Sequence, residues 1–161
     1  MQASSSVLSM MKGLSMVVTM GLVFGACNLP EAPKAVDVMP DKYAQSHMPE
    51  GWWNDKAIVD EGRLLYLGKK KSNVNCAECH GHDGRPVRGG ARDFRNAGAM
   101  RDYSDSHLFW RISEGVPFSP MKGYKNKLSE KEIWKVIVFI STFGMDGLHY
   151  DPKAQEWTHT G

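Results

Sequence analysis

The feature that most constrains this chain is a run of five residues, Cys76-Ala77-Glu78-Cys79-His80. Two thiols separated by two residues and followed at once by an imidazole form the attachment sequence of a c-type haem. Each thiol adds across one vinyl group to give a thioether. The spacing brings both sulfurs to one porphyrin edge and holds the histidine beneath the iron as its proximal ligand. Ala77 and Glu78 act as spacers. Two other chemistries share the cysteine pair. A structural zinc site wants four ligands, commonly from two such pairs, and here one pair stands with a remote third cysteine, Cys27. A thioredoxin-like redox pair belongs near a βαβ pattern, and the sequence shows none.

The chain has 161 residues, enough for one domain with appendages. A core of about 85 residues is small for an unaided hydrophobic interior. A large apolar cofactor bonded to the chain supplies what is missing. With two cysteines committed to that cofactor, no disulfide framework remains.

Helical signals flank the motif. Asn54 or Asp55 is positioned to cap a first helix that ends near Gly68, with Ile58, Gly62, Leu65 and Tyr66 on one face. A mid-helix glycine is tolerable where another helix must approach closely. Lys69, Lys70 and Lys71 follow the helix end and read either as a docking patch or as a solvated cap. Ser104 or Ser106 caps a middle helix through Glu114, with Leu108 and Ile112 turned inward. Ser129 and Glu132 form a capping box that opens a last helix running to about Phe143. Its apolar residues, Ile133 to Phe143, leave only Lys131, Lys135 and Thr142 as a polar stripe, so it is buried on more than one side. The fold class is all-α, three or more helices around one covalently attached haem.

From about Asp60 to Phe143 the chain resembles class I cytochrome c. The resemblance is carried by Gly62-Arg63-Leu64-Leu65-Tyr66, the cysteine motif with Gly81, Arg92-Asp93-Phe94, Gly115-Val116-Pro117, Pro120-Met121 and Leu128 to Trp134, in the family's order. It implies the cytochrome c fold, with the first and last helices crossing. It implies one haem c working in one-electron transfer. It implies that a proline carbonyl accepts a hydrogen bond from the proximal imidazole, and Pro86 is the candidate between the motif and Phe94. It also implies a sixth iron ligand from the loop after the middle helix, where Met121 follows Pro120. His107 is the alternative, giving bis-histidine ligation, and Met100 and Met145 are further candidates. Arg85, Arg88, Arg92 and Arg95 can each pair with haem propionates, because guanidinium binds carboxylate in a fork.

Lys12 precedes an apolar run from Leu14 to Ala26, which describes a secretory signal and is short for a membrane-spanning helix. Phe24-Gly25-Ala26-Cys27 resembles the cleavage box of bacterial lipoproteins, which implies lipid on Cys27. Ordinary cleavage near Ala26 and an uncleaved anchor are the other readings. All three place the protein in the periplasm or on the outer face of a membrane. Residues 27–53 hold Pro30, Pro33, Pro40 and Pro49 and read as a lipid-anchored tether. Trp52 and Trp53 then pack on the domain or meet a partner subunit. Residues 54–143 form the haem domain. Residues 144–161 read as a tail, flexible or laid on a partner.

These features point to an electron carrier with redox proteins as partners. The alternatives are a fixed haem subunit of a larger membrane oxidoreductase and a haem enzyme with an open iron site. Nucleic-acid binding is excluded by charge. Of 20 basic residues one, Lys12, precedes Cys27, which leaves 19 against 18 acidic, far from a basic footprint.

Overall fold

The computed structural model describes residues 38–159. The signal segment 1–26, Cys27 and the first part of the expected tether lie outside the described residues.

The frame is a pair of crossed helices. Helix α2 (Lys56–Tyr66) starts where the Asp55 carboxylate accepts the backbone N–H groups of Ala57 and Ile58. The last helix, α6 (Glu130–Ser141), starts on the capping box of Ser129 and Glu132. The two cross at Gly62, where a Cβ would sit 2.0 Å from the Lys135 carbonyl oxygen. Only a bare Cα permits that approach. Leu65 and Tyr66 meet the buried face of α6, with the Tyr66 and Phe139 rings edge to face at 5.2 Å. Glu61 ties the crossing from outside through Lys135 at 2.7 Å and Lys70 at 2.8 Å. Helix α5 (Asp105–Glu114) is capped by Ser104 and packs on α6 through the Phe109–Trp134 stack at 4.5 Å. Two short helices lie between α2 and α5 in the chain, α3 (Ala77–His80) in the cysteine motif and α4 (Ala97–Arg101), capped by Asn96. The core is all-α, in agreement with the cytochrome c fold.

Both appendages differ from expectation. Residues 41–53 are docked rather than an extended tether. Helix α1 (Asp41–Ala44) buries Tyr43 against Phe109, and the Tyr43 hydroxyl donates to the Glu114 carboxylate. Asp105, only 1% exposed, receives His47 Nδ1 at 2.9 Å and the Met48 backbone N–H at 2.8 Å. A buried carboxylate needs such donors, and this segment brings them. A 3-10 turn (Trp52–Asn54) follows; Trp52 packs on the core and Trp53 stacks on His149 at 4.1 Å. The packing of the two tryptophans on the domain is therefore the arrangement found.

The tail is likewise folded. Met145 and Leu148 are buried, and β1 (Leu148–Asp151) pairs antiparallel with β2 (Glu156–His159). Tyr150 stands opposite Trp157, and the Trp157 Nε1–H donates to the Tyr103 carbonyl at 2.8 Å. Polar composition hid this, because a few aromatic anchors do the packing. No helix of the described residues is long and apolar enough to cross a membrane.

Candidate functional site

The cysteine motif is one helical turn held from both sides. Backbone N–H groups of Cys79 and His80 donate to the Cys76 carbonyl, and the Cys76 N–H donates to Tyr66 at the end of α2. Gly81 ends the turn at φ +75°, and a Cβ there would lie 2.0 Å from the Arg85 carbonyl oxygen. The chain must reverse here with no side chain. The buried Tyr66 hydroxyl donates to the Gly81 carbonyl at 2.6 Å, so the first helix fixes the exit of the motif. The N–H of Val87 returns to the Cys79 carbonyl at 2.9 Å. Cys76 and Cys79 are both unpaired thiols, and burial pushes the Cys76 thiol up to about 12.

His80 is held by its ring. Its Nδ1 lies 3.1 Å from the Arg92 carbonyl oxygen. A carbonyl only accepts, so Nδ1 carries the proton and Nε2 keeps the lone pair. The imidazole stacks on buried Phe94 at 4.4 Å and 15°. Burial holds its protonation below the ordinary histidine range, opposed by the bond to the Arg92 carbonyl and aided by the Arg92 charge. The expected acceptor, Pro86, is therefore not the partner. Pro86 sits in the turn whose next residue is bonded back to Cys79. The acceptor comes from six residues further on, after the loop has folded round.

Met121 lies half-buried in the loop between α5 and α6, packed against the core. Its carbonyl accepts the Val116 N–H, its own N–H donates to Ser119 Oγ at 3.2 Å, and Gly115 bridges to Lys122. It lines a surface cleft of about 410 Å³ with Trp110 and Val116; neither cysteine nor His80 borders that cleft. The same loop approaches the motif through Tyr124, whose phenol is pushed up chiefly by burial. The other candidates stand elsewhere. Met100 and Met145 are buried in the protein core, and His107 lies between the rings of Tyr103 and Trp110. Burial and the Arg92 charge hold His107 down to about 4.

Two of the four arginines are engaged. Arg92 places its guanidinium 4.2 Å over the Tyr103 ring, and Arg95 forms a fork with Asp93 at 2.7 Å. Of the three lysines after α2, Lys70 and Lys71 are paired, with Glu61 and Glu132. The sequence offered no direct sign of the roles of Arg92, Phe94 and Tyr66. Arg92 and Phe94 stood only as part of a family motif, and Tyr66 only as one apolar helix position.

The donors suit haem c by their chemistry: two unpaired thiols in one turn, an imidazole whose Nδ1 is already a donor, and a thioether in the α5–α6 loop. Among the described residues no group of three or more His, Cys, Asp or Glu side chains is placed to hold a metal ion.

Comparison with protein families agrees with that chemistry. The family described as "Cytochrome C oxidase, cbb3-type, subunit III" matches residues 59–140. Among solved structures, the KustC0563 c-type cytochrome is similar at 33% identity over 52% of this chain and 96% of that one, with a TM-score of 0.45. The Kuenenia stuttgartiensis reducing HAO-like protein complex Kustc0457/Kustc0458 is similar at 18% identity over 56% of this chain and 45% of that one, with a TM-score of 0.45. Cytochrome CL from the marine methylotrophic bacterium Methylophaga aminisulfidivorans MPT is similar at 19% identity over 73% and 72%, with a TM-score of 0.45. No curated protein matches. The family match spans half of the chain and contains the whole attachment motif, so the chain belongs to that family and is a c-type cytochrome.

Proposed function

We propose that this cytochrome is a one-electron carrier with a single haem c, ligated by His80 and Met121, working outside the cytoplasm at the outer face of a bacterial membrane. The observation that carries the reading is the His80 ring. Its Nδ1–H is committed to the Arg92 carbonyl at 3.1 Å, which reserves Nε2 for iron and raises the basicity of the ligand. Haem c supplies the ferric/ferrous couple. The chain does the rest. Cys76 and Cys79 hold the cofactor by carbon–sulfur bonds, Tyr66 fixes the turn that carries them, and Met121 offers a thioether, which favours the ferrous state. No general base or nucleophile is needed, which supports a carrier rather than an enzyme. The chain has one attachment motif, which supports one haem.

The second reading is a fixed haem subunit of a membrane oxidoreductase, for which the family description speaks. The aromatic residues that suggested it are largely engaged internally, Trp53 on His149 and Trp157 on Tyr103, which favours a free carrier meeting its redox partners in passing. Lipid on Cys27, after a signal ending at Ala26, completes the proposal by confining those encounters to the membrane surface.

One measurement tests both covalent claims. Intact mass of the protein from a cell able to attach haem is expected to exceed the mature polypeptide by one haem and by the lipid on Cys27. Cys76→Ala with Cys79→Ala is expected to lose the haem increment alone. A denatured protein without the haem increment overturns the cytochrome reading. An unmodified N-terminus beginning at Cys27 overturns only the anchor.

A further inference from the structure

We infer that the C-terminal hairpin is a positioning device for the proximal histidine, acting through Trp157, Tyr103 and Arg92. The proposal rests on His80 being the iron ligand. The acceptor of the His80 ring is a loop carbonyl, that of Arg92, outside helices and strands and so without a ladder to hold it. The backbone is tied on either side of it, Ala91 N–H to Arg88 and Phe94 N–H to Gly84, and Arg92 itself is held by its side chain. The guanidinium lies 4.2 Å over the Tyr103 ring and donates to the Ala99 carbonyl at 3.4 Å, a long bond. The Tyr103 stack is therefore the main brace. Tyr103 sits in turn between α4 and α5, and its carbonyl takes the Trp157 Nε1–H at 2.8 Å. Trp157 is set by strand pairing opposite Tyr150, whose ring meets its edge at 5.6 Å. Each link is a distinct contact, and together they run from the hairpin to His80.

The hairpin lies beyond residue 140, where the family match ends. It reaches the site in three links. A hydrogen bond weakens steeply as its geometry opens, so loosening the brace weakens the bond that makes His80 a more basic ligand. A less basic ligand stabilises ferric iron less, and the reduction potential rises.

The test is redox titration of the haem-loaded protein. Trp157→Phe keeps an aromatic ring and removes the N–H. Tyr103→Leu removes the ring beneath Arg92 and keeps the carbonyl that Trp157 uses. Each is expected to shift the ferric/ferrous ratio at fixed ambient potential about threefold toward ferrous, roughly 30 mV on the one-electron scale. The double variant is expected to shift no further than the larger single, because both act on one path. NMR exchange of the His80 Nδ1 proton in the reduced protein is expected to quicken in both. Lys153→Ala, in the hairpin turn, is expected to move neither. Unchanged potential and exchange in Trp157→Phe with native circular dichroism overturns the brace, as does full additivity. If Trp157→Phe does not fold, Tyr103→Leu carries the test, and an unmoved potential and exchange rate there overturn it equally. A hyperfine-shifted imidazole proton assigned to His80 in the oxidised wild type shows His80 on iron. Its absence sinks that ligation, whereas its presence with an unmoved potential in Trp157→Phe sinks only the brace.

Discussion

At the scale of single residues, the site depends on which atoms are already spent. His80 has one nitrogen committed to Arg92 and one left, while the Met121 side chain stands in a loop whose backbone is tied at Val116 and Ser119. Met121→Ala is expected to leave the haem attached and open the sixth position to water or an added ligand. The potential is expected to fall by on the order of 0.1–0.3 V, within the roughly 0.8 V that axial ligands span. Loss of a weak red absorption band checks the ligand, and redox titration checks the potential. An unchanged spectrum and potential would move the ligand to His107, Met100 or Met145.

At the scale of elements, the crossing of α2 and α6 is the joint that carries the motif. Tyr66, at the end of α2, holds both the Cys76 N–H by its carbonyl and the Gly81 carbonyl by its hydroxyl. Any shift of α2 therefore reaches the haem-attachment turn. Gly62→Ala puts a methyl group where the Lys135 carbonyl already lies. The cost is expected to be about 3 kcal/mol, the upper end of ordinary overpacking, seen as a lower denaturant midpoint of the haem-loaded protein. A variant as stable as wild type would show that the helices have room to part. The helix ends were legible beforehand. Of Asn54 and Asp55 it is Asp55 that caps, of Ser104 and Ser106 it is Ser104, and the Ser129–Glu132 box forms as its spacing predicts, because capping joins residues only two or three apart.

At the scale of the whole molecule, the N-terminal segment docks through groups whose titration sets a pH window. Lys125, then the Tyr43 hydroxyl, holds the Glu114 carboxyl down to about 2, and burial, then Glu114, pushes the Tyr43 phenol up to about 12. Glu114 is thus a depressed acid. Its contribution is present above the unfolded value of about 4.3 and is lost as pH falls through about 2. Tyr43 is a raised acid. Its contribution is present below about 10 and is lost as pH rises through about 12. Amide exchange across residues 41–48 is expected to be slowest between about pH 5 and 10, after correction for intrinsic rates, and Glu114→Gln is expected to flatten the acid side. An acid limb unchanged by that substitution would show that docking does not run through Glu114. Docking also shortens the proposed tether. From Cys27 to Asp41 the chain spans at most about 50 Å even fully extended, against about 90 Å had it run free to Trp53.

The sequence by itself determined the chemistry of attachment, the helical class and the helix starts. Each of these is recorded within a few consecutive residues: thiol spacing, capping residues, and the apolar face of α6. Tertiary structure alone decided the acceptor for His80, which is Arg92 rather than Pro86, and the fate of the two appendages. The His47–Asp105 and Trp157–Tyr103 contacts join residues 58 and 54 positions apart. Such contacts leave no local period or motif. They form because a buried carboxylate and an open backbone carbonyl must find donors wherever the folded chain brings them.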